Sequence, residues 1–197
     1  MSFAIDVPPG TLGDVTRLDF SMNDAPTFPI NDAHAFATLM KVASADGAFD
    51  VVRALWSLPF PDVVGLGRTA IAGRKQQRKP GKPYQQARYW STVPFLHGAD
   101  QAIKYSVIPD PANQGQPLSD EPNTLRDELI RHLAQDTPAS FDFAIQILDP
   151  ARMTWKGQRH DAPFWVENAS VEWREADAPF HVVGRLTLLP DSQLSDE

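Results

Sequence analysis

The chain has 197 residues, 42% of them hydrophobic and 22% charged, which is typical of a single globular domain and excludes a disordered or fibrous chain. Lysine and arginine number 18 against 25 aspartates and glutamates, so the net charge of −7 disfavours nucleic acid or anionic lipid as a partner. Cysteine is absent, which excludes disulfides, thiolate metal sites and a cysteine nucleophile. Without an apolar run of the roughly 20 residues that cross a bilayer, or a signal-like N-terminus, we expect a cytoplasmic protein with no membrane partner.

The first 86 residues combine a strand, helices and a basic loop. Arg17 to Met22 are strand-like, and a turn sequence follows them. A helix is predicted from Asp32, because aspartate can cap free amides and apolar residues then recur at helical spacing: Phe36, Leu39, Met40 and Ala43. Asp62 to Ala72 is a second helical candidate, weakened by glycine. Residues 73–86 lack apolar periodicity and are predicted to form a basic loop.

Period-two alternation of apolar residues predicts four strands in the rest of the chain. They cover Arg88 to Phe95, Gln101 to Ile108, Phe141 to Leu148 and Val182 to Leu189, and we expect all four in one antiparallel sheet system. The first two flank the turn sequence at residues 97–100, which indicates a hairpin.

The segments between these strands predict a loop, a helix and an irregular excursion. Residues 109–122 form a linker loop rich in proline and glutamine. A helix with capping chemistry near Thr124 follows, in which Asp127 and Arg131 are spaced to form an ion pair. Asp149 to His181 contain three tryptophans without clean periodicity, so we expect an ordered excursion with one or two short strands. Helices do not alternate one for one with strands, which favours an antiparallel α+β fold.

Motifs that announce a specific chemistry are weak. Ser91, His97 and Asp100 could form a nucleophile, base and orienting acid, but no G-x-S-x-G elbow surrounds the serine, and a hairpin turn is polar in any case. The five histidines are scattered singly, without the spacing that places two imidazoles on one metal ion. The basic loop lacks the interleaved aromatic residues of a nucleic-acid site, and no phosphate-binding glycine motif is present.

Asn23 is the most informative polar residue. It follows a strand and precedes Phe28 and the helix that carries Phe36, so a carboxamide and two rings could line one pocket for a small polar ligand. The alternative is that Asn23 belongs to an ordinary turn and the two phenylalanines are core residues.

Three segments together resemble a known family. Leu18 to Ala33 place an asparagine, a proline and a phenylalanine before a helix start. Tyr89 to Phe95 and Ala102 to Val107 read as paired strands, and Asn168 to Trp173 precede a last strand at Gly184 to Leu188. In this order the segments resemble the haem catalases and their smaller catalase-like relatives.

The resemblance implies one catalase-like domain over residues 1–197, built as an antiparallel β-barrel with flanking helices. It implies haem as the cofactor and hydrogen peroxide or an organic hydroperoxide as the substrate. Asn23 matches the distal asparagine that hydrogen-bonds peroxide, and is the candidate catalytic residue. Phe28 and Phe36 match the rings that contact haem, while Pro29 stands where the family has a further phenylalanine.

Two residues of the family's chemistry have no match in this sequence. The family's distal histidine precedes the strand at Phe3 to Ile5, and its proximal tyrosine follows the last strand. No metal ligand is therefore predicted, and His34 is the nearest substitute. We expect a truncated barrel that shows little activity as an isolated chain and that pairs with flanking segments or with a second copy. The alternative is a non-catalytic barrel that binds a small apolar ligand or a partner subunit.

Overall fold

The computed structural model describes residues 1–11, 13–28, 37, 81–119 and 121–190. The helices predicted from Asp32 and over Asp62 to Ala72 lie outside the described residues, as does most of the basic loop. Within the described ranges a 3-10 helix covers Tyr84–Gln86, and the regular elements are β1 (Ser2–Asp6), β2 (Arg17–Ser21), β3 (Tyr89–Trp90), β4 (Phe95–His97), β5 (Gln101–Pro109), α1 (Thr124–Leu133), β6 (Ala139–Ile147), α2 (Ala162–Glu167) and β7 (Phe180–Leu188). None of the described helices is long and apolar enough to span a membrane.

The strands form two antiparallel sheets. β1 and β2 pair with each other, with Phe3 opposite Phe20. The other five strands form one sheet in the order β3-β5-β6-β7, with β4 also paired to β5.

The four later strand segments lie in one antiparallel sheet, as predicted, but Arg88 to Phe95 is not one strand. β3 ends at Trp90 and β4 begins at Phe95, because the backbone turns at Thr92, whose φ is 58°, and Pro94 has no amide to donate. Among the described residues this sheet is open, and the closure of a barrel stays a prediction.

One face of the large sheet carries the main hydrophobic core. β5 and β6 alternate so that Tyr105, Val107, Phe141 and Phe143 share this face. The β1–β2 hairpin covers it, and the Phe3 and Phe20 rings stack with centroids 4.8 Å apart. Such ring pairs contribute about 0.5–1.5 kcal/mol beyond the burial of their area.

The opposite face of the sheet is also buried, although its side chains are largely polar. Lys104 and Gln146 lie opposite each other on β5 and β6, and Ser106 is next to them. Residues 149–179 cover this face with a second hydrophobic cluster that consists of Leu148, Met153, Trp165, Val171, Trp173 and Ala178. The alternation of β5 therefore separates an apolar core from a buried polar layer.

The excursion that covers this face contains a helix, so the expectation of short strands there was wrong. Asp161 caps α2 by accepting a hydrogen bond from the Phe164 amide at 3.3 Å, and Pro163 lies in the first turn. This pair of residues is a helix-start signal that period-two counting overlooks. The described part of the excursion has only an isolated bridge between Trp155 and Gln158.

Helix α1 begins at Thr124 as predicted, but its polar contacts differ from the prediction. Its cap residue, Asn123, makes no side-chain capping bond, and the Thr124 hydroxyl accepts instead from the Ser119 amide at 2.9 Å. Arg131 pairs with Glu128 rather than with Asp127, at 2.7 Å. Glu128 lies on the buried side of the helix, where its carboxylate can serve several donors at once.

Candidate functional site

Asn23 lies directly after β2 and is fixed by its backbone. Its amide donates to the Trp90 carbonyl at 2.9 Å, and the Trp90 amide donates to the Asn23 carbonyl at 2.8 Å. The side chain is exposed. The carboxamide is therefore held at the surface beside the start of the large sheet, where it is open to a small solute.

Phe28 is anchored to a different part of the molecule. It is half-buried, and its amide donates to the Ala169 carbonyl at 3.0 Å. Phe36 lies outside the described residues, as do Pro29 and His34. The structure thus places Asn23 and Phe28 on two anchors, at Trp90 and Ala169, and the pocket predicted from the three residues stays a prediction.

Ser91 has a structural role that accounts for its hydroxyl. The hydroxyl donates to the Val93 carbonyl at 2.9 Å and accepts from the Tyr105 amide at 3.2 Å. His97 and Asp100 are exposed at the β4–β5 hairpin. A serine whose proton is held by a carbonyl is not activated by a base, so these three residues do not form a catalytic triad.

Two of the three described tyrosines, Tyr89 and Tyr105, do not fit an iron ligand. A tyrosinate ligand requires an easily lost phenolic proton. Burial instead raises the pKa of both Tyr89 and Tyr105, and their hydroxyls donate to the Tyr84 carbonyl at 3.1 Å and the Ser21 carbonyl at 3.2 Å. Both phenols are held protonated.

Two of the four described histidines, His132 and His160, are enclosed by the protein. His132 is buried within α1, and the His160 ring stacks on Phe164 with centroids 3.9 Å apart. The described ranges contain no cluster of three or more residues that could hold a metal ion.

A cavity of about 300 Å³ lies between the N-terminus, α1 and the large sheet. Its lining is mostly apolar and consists of Met1, Ser2, Tyr84, Tyr89, Leu129, Phe141 and Leu188. The Met1 amine donates to the Met22 carbonyl at 3.1 Å, and burial lowers its pKa against the opposing charge of Asp24. The volume of the cavity is within the range of small-molecule sites. Sequence reading missed it because its residues are far apart in the chain.

A second enclosed site surrounds Lys104 on the polar face of the sheet. Lys104 is 4% exposed, and its Nζ lies 5.0 Å from the centre of the Trp173 ring. Burial lowers the pKa of Lys104 to about 8, against the opposing charge of Glu172. Among the described residues Nζ has no hydrogen-bond partner. Strand alternation separated Lys104 from the apolar face, but nothing in the sequence shows that residues 149–179 cover it.

The described residues form an antiparallel sheet with an aromatic core and a covering hairpin, and this arrangement is catalase-like. Three solved structures share this fold. A fungal catalase matches with a TM-score of 0.59 and 16% identity, over 88% of this chain and 36% of its own. Catalase A from Saccharomyces cerevisiae matches with a TM-score of 0.60 and 17% identity, over 91% of this chain and 38% of its own, and a bacterial catalase with a TM-score of 0.59 and 14% identity, over 91% and 36% of the two chains. The catalase-like fold that the sequence resemblance implied is confirmed, and the closed barrel stays a prediction.

The similarity lies in the structure and not in the sequence. No protein-family model matches the chain, and no curated protein matches it. Identities of 14–17% show a shared fold alone. The chain also spans only 36–38% of the length of these catalases, so their activity does not transfer to it directly.

Proposed function

We propose that this protein is a catalase-like haem protein that acts on hydrogen peroxide or an organic hydroperoxide. The observation that carries the proposal is the catalase-like fold, which extends over 88–91% of the chain. Asn23 would donate its carboxamide N–H to a peroxide oxygen, and its exposed side chain leaves it accessible to that solute. Phe28 and Phe36 would pack against the haem.

Three described residues of the types that bind haem iron are held inside the protein. Tyr89 and Tyr105 are held protonated, and the buried His132 belongs to a helix core. We therefore expect the 197-residue chain on its own to bind haem weakly and to release little oxygen from peroxide.

Haem titration of the purified chain tests this expectation. The Soret absorption and the oxygen evolved from hydrogen peroxide are measured on the same samples, with a matched amount of free haem as the control. We expect a weak, non-stoichiometric Soret change and oxygen release close to that of free haem. A stoichiometric, tight Soret band would show that the ligand assignment is wrong, and brisk oxygen release with it would strengthen the assignment to catalase chemistry.

Substitution of Asn23 tests its role in haem-loaded protein. Asn23→Asp keeps the shape of the side chain but removes the N–H donor, and Asn23→Ala removes both donor and acceptor. If the donor binds peroxide, both variants should lose the part of peroxide consumption that exceeds the free-haem background, with unchanged thermal unfolding. Equal rates in all three proteins would exclude the role.

Self-association is part of the same proposal. Strand β7 pairs with β6 and, within the described ranges, with no other strand. Its Val182 and Val183 are 60% and 56% exposed. An apolar edge strand of this kind favours pairing with a second copy or with flanking segments. Sedimentation velocity should therefore show a concentration-dependent dimer, and a monomer at all concentrations would contradict it.

A non-catalytic role is the second candidate, and the cavity of about 300 Å³ favours it. A small apolar ligand would fit between Leu129 and Phe141 without any metal. Leu129→Trp should fill the space and abolish binding of a fluorescent apolar probe, whereas Asn23→Ala, which lies outside the cavity lining, should leave probe binding unchanged. Probe binding that survives Leu129→Trp would exclude this cavity.

A further inference from the structure

The Lys104 amine is buried but makes no hydrogen bond among the described residues. Lys104 lies on β5 opposite Gln146, whose side-chain amide donates to the Trp173 carbonyl at 2.8 Å and the Ala178 carbonyl at 2.6 Å. Those two bonds use both amide protons of Gln146, and Lys104 takes no part in them. The space beside the amine is about 10 Å³, which is room for one water molecule.

A buried amine without a hydrogen-bond partner is costly to keep charged. Burial lowers the pKa of Lys104 to about 8, so roughly one-fifth of the amine is neutral at pH 7.4, against roughly 0.1% for a lysine in water. The neutral amine has a free lone pair and is a nucleophile. This is the state in which lysine side chains attack carbonyl carbons.

The charges around the cavity decide which product the site would stabilise. Glu172 and Glu175 line it. In the nearby Arg88, Nη1 donates to Glu175 at 2.7 Å and Nε to the Ser106 hydroxyl at 2.9 Å, while Nη2 has no partner among the described residues. An anionic product such as a carbamate would face these carboxylates. A cationic product would keep the attraction of Glu172 and the face of the Trp173 ring, which attracts cations.

We infer that Lys104 is a carbonyl-reactive amine that takes up the one-carbon aldehyde, formaldehyde, as a Schiff base. The size follows from the cavity, which has room for little more than the attacking carbonyl group. The site lies on the polar face of the sheet and needs no haem, so it is independent of the proposed function.

The reaction is a condensation without oxidation or reduction. The Nζ lone pair forms a bond to the carbonyl carbon, and the carbonyl π electrons move to oxygen. One proton of nitrogen passes to that oxygen and gives a carbinolamine. The hydroxyl group then leaves with a second proton of nitrogen as water, and a C=N bond forms. Protonation of this imine gives the cation that lies over Trp173.

Competitive reductive methylation of the unmodified protein tests the inference. The protein is treated briefly with limiting formaldehyde and cyanoborohydride at pH 7.4, and the modified lysines are located by peptide mass spectrometry. Lys82 and Lys156 are exposed and serve as internal controls. We expect Lys104 to be modified roughly tenfold faster than either, because far more of it is neutral. Modification confined to the exposed lysines would overturn the inference.

Two further arms separate the enclosed site from general lysine reactivity. In concentrated urea the preference for Lys104 should disappear, and butanal in place of formaldehyde should modify Lys156 but not Lys104. A preference that persists in urea, or equal labelling of both residues by butanal, would contradict an enclosed site. Lys104→Arg keeps the positive charge without the nucleophile and should abolish the fast phase, whereas Lys156→Arg should leave it unchanged.

Discussion

Glu128 and Lys104 are both charged and both buried, and their surroundings explain opposite effects on stability. The Glu128 carboxylate accepts from Arg131 at 2.7 Å, from the Gln116 amide at 2.7 Å and from the Gln85 side chain at 3.3 Å. Lys104 has no such partner among the described residues. The buried Glu128 carboxylate therefore has its hydrogen bonds satisfied, whereas the buried Lys104 amine does not.

Removal of Glu128 should destabilise the protein strongly. Glu128→Ala leaves the Gln116 amide, the Gln85 amide and Arg131 without their acceptor, so we expect a loss of about 2–3 kcal/mol. Asp127→Ala is the matched control, because Asp127 is the exposed neighbour on the same helix and should change stability by less than about 0.5 kcal/mol. Urea unfolding of both variants measures the difference, and equal losses would contradict the assignment.

The same carboxylate predicts an acid limit. The hydrogen bond from Arg131 holds the pKa of Glu128 below its ordinary value of 4.5. A lowered pKa contributes stability above the ordinary value and loses it as the pH falls through the lowered one. The difference in unfolding free energy between the native protein and Glu128→Ala should therefore shrink below pH 4.5.

Lys104 predicts the opposite behaviour at alkaline pH. Its pKa is lowered from 10.5 to about 8, so the charged amine opposes folding fully below pH 8 and this cost disappears as the pH rises to 10.5. Lys104→Met should thus stabilise the protein at pH 7, by on the order of 1–3 kcal/mol.

The comparison of two pH values isolates this effect from other titrations. Urea unfolding of the native protein and of Lys104→Met is measured at pH 7 and at pH 10. The advantage of the variant should be smaller at pH 10. If Lys104→Met is equally stabilised at both pH values, or is destabilised at pH 7, the buried charge of Lys104 does not destabilise the folded protein.

At the scale of elements, strands were predictable and the short helix was not. Period-two alternation located β5, β6 and β7 because each is long and has an apolar face. Helix α2 has six residues, too few to show helical periodicity, and only its cap and proline mark it. The ion-pair partner of Arg131 could not be predicted either, because Asp127 and Glu128 are both at favourable helical spacing and only the packing of the helix decides between them.

The cap of α2 gives a direct test of that signal. Asp161→Ala removes the acceptor of the Phe164 amide and should cost about 1 kcal/mol, measured as a lower Tm by calorimetry. Glu167→Ala at the other end of the same helix is the control and should be neutral or slightly stabilising, because a carboxylate there opposes the helix dipole. A larger loss for Glu167→Ala would contradict the capping role.

At the scale of the molecule, the resemblance to catalases predicted the fold, whereas hydrophobic periodicity and capping residues predicted only individual strands and helices. The motifs at Leu18 to Ala33 and at Asn168 to Trp173 are far apart, and their order indicated one architecture. The cavity at Leu129 and the enclosure of Lys104 were not predictable, because each depends on which segments meet in space. Sequence patterns report the direction of a side chain, not what covers it.

Strand β5 is paired along both edges and covered on both faces, and this has a kinetic consequence. β3 and β4 pair with one edge, β6 with the other, and Ser106 and Val107 are fully buried. Their backbone amide protons can reach solvent only when the whole sheet opens, whereas β7 has no strand on its outer edge within the described ranges. In deuterated buffer these two amides should exchange last, at a rate that reports the global free energy of unfolding.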